Sequence, residues 1–128
     1  MRYVAFVFDK EKHLEKVKTH VGSIRSALNE GSISKYENAK QSFLAYAKES
    51  GSRVFYMDEE NTEKMKNRSL PHTSLLLRSC EMEENLKAME EAGIRFENQE
   101  ELISLLKDPR YFVVVLYLLE DDCRDFLK

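Results

Sequence analysis

The chain has 128 residues, of which 42% are hydrophobic and 34% are charged, and its formal net charge is -3. This length suits one domain with a single core, and the modest negative charge argues against a nucleic-acid or anionic-membrane surface. Two cysteines are too few for a disulfide scaffold and lack the paired spacing of a zinc site. We therefore expect a single domain over residues 1–128, located in the cytoplasm, with no nucleic-acid or membrane partner.

Two apolar runs near the chain ends predict its central strands. Residues 2–8 read Arg-Tyr-Val-Ala-Phe-Val-Phe, and residues 111–119 read Tyr-Phe-Val-Val-Val-Leu-Tyr-Leu-Leu. Because both alternating faces of each run are largely apolar, both strands should be covered on both sides. The first run is too short for the core of a signal peptide, and the second is too short to cross a bilayer as a helix. Shorter strands are predicted at residues 53–57, 73–78 and 94–96.

Apolar spacings of three and four predict helices between these strands. The first helix begins at Lys10 and ends at Gly31, and the second begins with a capping box at Ser34–Glu37 and ends at Gly51. Residues 59–69 are polar and charged, which is typical of a loop or a short exposed helix. The predicted core faces of the two helices are Leu14, Val17, Val21, Ile24 and Leu28 in the first and Tyr36, Ala39, Phe43, Tyr46 and Ala47 in the second.

Two later helices are predicted, with Ser79 and Asn98 as their caps. The chain thus alternates strand and helix, which favours right-handed crossovers and an α/β fold. We expect a mostly parallel sheet of about five strands, flanked by helices on both faces, with the first and last strands near its middle. The alternative is a ferredoxin-like α+β sandwich, which would leave one sheet face bare of helices. The predicted inward faces of the later helices are Met82, Leu86 and Met89, and Leu102, Leu105 and Leu106.

A parallel sheet would collect polar residues at the edge where its strands end, which is where open α/β sheets bind ligands. Carboxylates there could bind Mg2+ together with water and a substrate phosphate. The competing interpretation is that acidic residues after strands cap helix N-termini. The candidate ligand-binding residues are Asp9, Asp58, Arg78, Ser79 and Asn98, and the candidate metal ligands are Asp9, Asp58, Asp121 and Asp122.

One short motif suggests phosphoester chemistry. Residues 70–75 read Leu-Pro-His-Thr-Ser-Leu. They resemble one half-site of the two-histidine phosphoesterases, in which a strand carries His-x-Ser or His-x-Thr and two copies face each other across the phosphate. The resemblance implies that His72 acts as a general acid or base. Neither His13 nor His20 is followed two residues later by Ser or Thr, so the second copy of the motif is missing.

A longer segment is similar to part of another enzyme family. From Ser74 to Ile103 the predicted order of strand, Arg-Ser turn, helix, Ala-Gly and short strand resembles the N-terminal lobe of ATP-grasp ligases. The lobes that bind ATP in that family need much more chain than this sequence offers. The resemblance therefore implies a parallel-sheet topology and carries no activity.

The functional prediction is a small α/β binding or regulatory module that acts through a protein partner or through self-association, without catalysis and without a cofactor. The predicted contact surface is the first helix together with residues 59–69. Two alternatives stay open. One is a metal-dependent or His72-assisted phosphoester enzyme, and the other is a sensor of a small ligand such as a nucleotide at the strand ends.

Overall fold

The computed structural model describes residues 2–66, 76–77, 87, 90–91 and 93–124. Within these residues the strands are Arg2–Asp9 (β1), Arg53–Tyr56 (β2), Leu76–Leu77 (β3) and Tyr111–Leu118 (β4). The helices with described bounds are Lys10–Glu30 (α1), Ile33–Ser50 (α2), Glu59–Lys66 (α3), Gln99–Leu106 (α4) and Glu120–Cys123 (α5).

The described strands form one antiparallel sheet in the order β2-β1-β4-β3. β1, β2 and β4 make up most of it, and β3 adds two residues at one edge. The prediction of a mostly parallel, about five-stranded sheet is therefore wrong. The first and last strands occupy the two central positions, as expected, and pair along their whole length from Arg2 opposite Leu118 to Asp9 opposite Tyr111.

The reversed strand direction follows from the number of helices between β1 and β2. A single crossover helix returns the chain to the end of the sheet where the previous strand began, which gives a parallel neighbour. Here α1 and α2 form a helical hairpin, so the chain travels along the sheet twice and returns to the end where β1 finished. β2 must then run against β1, and Val4 lies opposite Tyr56 in that pairing.

Residues at the ends of the two long helices account for where each one begins and stops. Ser32 caps α2, because its hydroxyl oxygen accepts a hydrogen bond from the backbone N–H of Lys35 at 3.3 Å. The predicted capping box at Ser34 is thus displaced by two residues. Gly31 and Gly51 end the two helices in the left-handed conformation, with φ of 69° and 66°. In both, the next backbone N–H donates to a carbonyl five residues back, as in a Schellman motif.

Both faces of the sheet carry an apolar layer. The first layer joins α1 and α2 to one face, and the second joins α4 and the segment before it to the other. The α+β class of the ferredoxin-like alternative fits this antiparallel sheet, but the bare sheet face expected of it is not observed. The buried residues of the first layer are Val4, Phe6, Phe8, Val17, Val21, Ile24, Phe43, Leu44, Ala47, Phe112, Val114, Leu116, Leu118 and Cys123. Those of the second are Tyr3, Ala5, Val7, Phe55, Met57, Ile94, Phe96, Leu102, Leu106 and Val113.

The segment at residues 94–96 is buried but is not a strand. Ile94 and Phe96 are 0% and 3% exposed, whereas the residues have no ladder pairing. Gln99, which sequence patterns did not single out, holds this segment. Its side-chain oxygen accepts from the backbone N–H of Phe96 at 2.8 Å, and its amide nitrogen donates to Glu90 at 3.0 Å. The predicted short strand is replaced by a buried irregular segment that a side chain holds in place.

Some predicted elements lie partly outside the described residues. Of the strand predicted at residues 73–78, the structure describes Leu76 and Leu77, which pair with β4. The helix predicted after Ser79 is described at Lys87 and at residues 90–91, which are helical. Its predicted core residues lie outside the described part of the chain.

Candidate functional site

The antiparallel sheet separates the acidic residues that a parallel sheet would have brought together. β2 and β4 run against β1, so they end beside its first residues. Asp9 closes β1 at one end of the sheet, whereas Asp58 follows β2 and Asp121 and Asp122 follow β4 at the other end. A strand of eight residues is about 23 Å long from its first to its last Cα. Asp9 therefore cannot share a ligand with the other three.

The acidic residues at the ends of β1 and β2 act as helix caps. One carboxylate oxygen of Asp9 accepts from the backbone N–H groups of Glu11 and Lys12 at 3.0 Å and 3.4 Å. Asp58 accepts from the backbone N–H of Asn61 at 2.7 Å, in the first turn of α3. These bonds satisfy backbone donors that a helix leaves free at its start. In the described ranges, no three or more His, Cys, Asp and Glu side chains are grouped so that they could hold a metal ion.

The other predicted site residues fall into two groups. Asn98 is described and occupies the predicted N-cap position of α4, but it has a left-handed backbone with φ of 57° and its side chain makes no capping hydrogen bond. Asn and Asp adopt this conformation more readily than other residues with a side chain, which fits Asn98 to a tight turn. His72, Arg78 and Ser79 lie outside the described residues.

A buried ion pair, which the sequence patterns missed, joins α2 to α5. Lys40 is 3% exposed, and its ammonium nitrogen lies 2.9 Å from one carboxylate oxygen of Asp122 and 2.8 Å from Glu37. The amide of Gln41 donates to the second carboxylate oxygen of Asp122 at 2.9 Å. The available signal was a lysine placed between Tyr36 and Phe43 on the apolar face of α2, a position that only a paired charge can occupy at low cost.

The protonation state of Lys40 points to a structural role. Burial by itself would lower the pKa of Lys40, but the hydrogen bonds and negative charges of Glu37 and Asp122 outweigh it and raise the pKa above its usual value. A lysine that acts as a nucleophile needs the opposite shift, towards the neutral amine. Lys40 therefore stays charged and connects α2 to α5.

A buried thiol, Cys123, and a half-buried phenol, Tyr56, lie at the same end of the sheet as this ion pair. Cys123 is 1% exposed, and burial raises the pKa of its thiol to about 11. Burial, followed by the influence of Cys123, raises the pKa of Tyr56 to about 12. The Tyr56 hydroxyl finds no hydrogen-bond partner among the described residues. Because the thiolate is the reactive form of cysteine, Cys123 is poorly nucleophilic while it is buried here.

These two groups predict that the fold weakens at alkaline pH. In the unfolded chain the thiol ionises with a pKa near 9.0 and the phenol near 10.0, whereas the folded values are about 11 and about 12. Unfolding therefore releases protons more readily as the pH rises through this window, so the unfolding free energy falls from about pH 9 to about pH 12. Urea midpoints measured at successive pH values should decline more steeply for the natural chain than for a Cys123→Ala, Tyr56→Phe variant. An equal decline in both proteins would contradict the assignment.

Aromatic and histidine rings connect α1 to α2 near the end of β1. The Nδ1 atom of His13 lies 2.6 Å from the hydroxyl oxygen of Tyr46, and the ring centroids of His20 and Tyr46 are 5.2 Å apart. Phe8 contacts both His13 and Tyr46, at centroid distances of 5.9 Å and 6.3 Å. Burial lowers the pKa of His20. These contacts place the first turns of α1 and the last turns of α2 beside the final residues of β1.

The other end of the α1–α2 hairpin extends past the sheet. Lys40 already contacts Asp122, which lies beyond the last residue of β4. Ile33 precedes Lys40 by seven residues and so lies about 10 Å farther along the α2 axis. A helix of 21 residues, as α1 is, also exceeds the length of an eight-residue strand. The turn between the two helices therefore projects beyond the sheet.

Three large apolar side chains are exposed at this end of the described chain. The exposed fraction is 81% for Ile33, 54% for Leu28 and 46% for Leu119. Leu28 continues the stripe of α1 in which Val21 and Ile24 are buried, so the predicted face is right but its last residue is left uncovered. We call these three exposed side chains, Leu28, Ile33 and Leu119, the apolar end.

Charged side chains around the apolar end pair with one another. The ion pairs are Arg2 with Glu120, Lys35 with Glu30, Lys40 with Glu37 and with Asp122, and Arg124 with Asp121. Both signs of charge alternate over a short distance. A surface of this kind creates little electrostatic field of a single sign.

A groove of about 580 Å³ lies between α1 and α2. Small side chains leave it open, and Glu30 and Lys35 border it where it approaches the turn of the hairpin. Its remaining lining residues are Thr19, Gly22, Ser23, Ser26, Ala27, Asn38 and Ala39.

Over the residues with described structure, no helix has both the length and the apolar character needed to cross a membrane. Comparisons with protein-family models, curated proteins and solved structures find no match. The function is therefore inferred from the side chains and surfaces of this chain.

Proposed function

We propose that this protein is a binding module that self-associates through its apolar end and acts without catalysing a reaction. The observation that carries the proposal is the exposure of Leu28, Ile33 and Leu119 at one end of the fold. Leu28 extends the buried stripe of α1 beyond the sheet that covers the rest of it. Covering such side chains is favourable by about 25 cal/mol per Å² of apolar surface removed from water. A partner that covers these exposed side chains would therefore be bound favourably.

A second copy of the chain fits this surface better than a highly charged partner. The ion pairs around the apolar end leave its charges nearly balanced. A partner with a strong charge of one sign would therefore find no excess of the opposite charge here. In a two-fold dimer, the same patch meets itself and its apolar side chains cover one another. Three exposed side chains make a small contact, which suits a weak and reversible dimer.

The proposal includes a cytoplasmic location and no cofactor. The support for the location is the cysteine content, since two cysteines do not make a disulfide scaffold and Cys123 is a free, buried thiol. In the described chain, the carboxylates expected to bind Mg2+ instead cap helices or form ion pairs, as Asp9 and Asp122 do. A module of this kind works through surface contact alone.

Sedimentation velocity over about 1 to about 100 µM tests self-association, the range in which weak dimers dissociate. We expect the weight-average mass to rise from monomer towards dimer in the natural chain, and to stay at monomer in Ile33→Asp and in Leu28→Lys. Both changes place a charge in the apolar end. The charge is favourable for each helix, because an aspartate at the N-terminus of α2 and a lysine at the C-terminus of α1 are opposite in sign to the helix dipole there. Neither variant should therefore lose stability.

Ala45→Glu is the matched control, because Ala45 is exposed on α2 but lies twelve residues from Ile33, near the opposite end of the sheet. This variant should dimerise like the natural chain. A strictly monomeric natural protein would contradict self-association. A dimer that Ile33→Asp and Leu28→Lys leave intact would show that the contact lies elsewhere.

A further inference from the structure

We propose that α5 is a latch: it detaches from the fold and exposes its own last residue, Cys123, while the rest of the fold stays intact. α5 is one turn of four residues, Glu120–Cys123, and it follows the exposed Leu119 directly after β4. A single turn has too few internal hydrogen bonds to be stable by itself. Its position therefore depends on contacts with other elements.

Among the described residues, hydrogen bonds and ion pairs join α5 to α2 and β1. Asp122 binds Lys40 and Gln41 of α2, and Glu120 binds Arg2 at the start of β1 at 2.9 Å. Cys123 is the one buried apolar side chain that the turn contributes to the core. A thiol is small and covers little apolar surface, so the closed position depends mainly on the Asp122 contacts.

The closed position also carries an energetic penalty. It keeps the charge of Lys40 away from water, and the nearby Tyr56 hydroxyl is buried without a partner among the described residues. Buried charges and unpaired hydroxyls are unfavourable, and opening α5 would let water reach Lys40. These opposing contributions favour an equilibrium between a closed state and a minor open state. The proposal does not depend on self-association.

Thiol labelling measures this opening directly. In a Cys80→Ser variant, Cys123 is the only thiol of the chain, and the Ellman reagent reports its exposure by absorbance. At protein concentrations near 1 µM, the lower end of the range in which a weak dimer dissociates, we expect slow labelling whose rate does not change at low urea. Asp122→Asn in this background should raise the rate at least about tenfold, because it removes a charged hydrogen bond. Gln41→Ala should raise the rate less.

Ile94→Val is the control for global unfolding. Ile94 is fully buried in the other apolar layer, and this change should lower the urea midpoint of global unfolding. It should leave the labelling rate unchanged if α5 opens locally. Two results together would overturn the latch. The labelling rate would rise with urea, and Ile94→Val and Asp122→Asn would each increase it only as much as they lower the urea midpoint of global unfolding. Labelling as fast as in the unfolded chain would overturn it too, since α5 would then not close.

Discussion

Phe43→Ala is expected to lower the free energy of unfolding by about 3–5 kcal/mol, the usual range for removing a buried phenylalanine side chain. Phe43 lies on α2 and is 0% exposed. Its ring meets Phe6 edge to face at a centroid distance of 5.2 Å and Phe8 at 6.0 Å. Because Phe6 and Phe8 belong to the central strand β1, Phe43 connects α2 to the middle of the sheet.

Urea denaturation followed by circular dichroism measures this loss. Leu28→Ala is the control for helix truncation, because Leu28 is 54% exposed and its removal should change stability by no more than about 0.5 kcal/mol. Phe43→Leu keeps part of the buried volume and should fall between the two. A loss below about 1 kcal/mol in Phe43→Ala would show that the hairpin does not pack on β1 as described.

Leu102→Ala is expected to lower the free energy of unfolding by about 2–5 kcal/mol, through lost burial and the cavity that remains. Leu102 lies on α4 and is 0% exposed, on the opposite face of the sheet from Phe43. It shares its layer with Phe96 and Leu106. The same urea experiment measures the effect, and Leu119→Ala serves as the exposed control.

The two layers should contribute independently to stability, because the sheet separates them. Mutations without shared contacts usually add within about 0.5 kcal/mol. Combining the milder changes Phe43→Leu and Leu102→Val keeps the chain folded while testing this point. A coupling energy above about 1 kcal/mol between them would mean that the two layers form one continuous core.

Several elements were predictable because their signals are local. The two apolar runs became β1 and β4, and their apolar character on both faces placed them at the centre of the sheet. Glycines after amphipathic stripes marked the ends of α1 and α2, since Gly31 and Gly51 adopt the left-handed conformation that other residues avoid. The structure of residues 94–96 was missed, because this buried segment is irregular and is held by the side chain of Gln99.

The candidate site was less predictable than the fold. The acidic residues were recognised correctly as lying at strand ends, but their common edge was inferred from a parallel sheet that does not form. The apolar end was also partly visible, because Leu28 continues a stripe over a helix longer than any predicted strand. Its exposure could not be foreseen, since it depends on where the sheet stops beneath the hairpin.

By itself, the sequence determined the central strands, the two long helices and the apolar face of each. These features arise from the periodicity of neighbouring side chains and from residues that terminate helices, both of which act within a few positions of the chain. Only the tertiary structure decided the strand directions, the pairing of Lys40 with Asp122 and the uncovered end of the hairpin. Each of these depends on how far the chain travels along the sheet before it turns back, and that distance depends on packing between residues far apart in sequence.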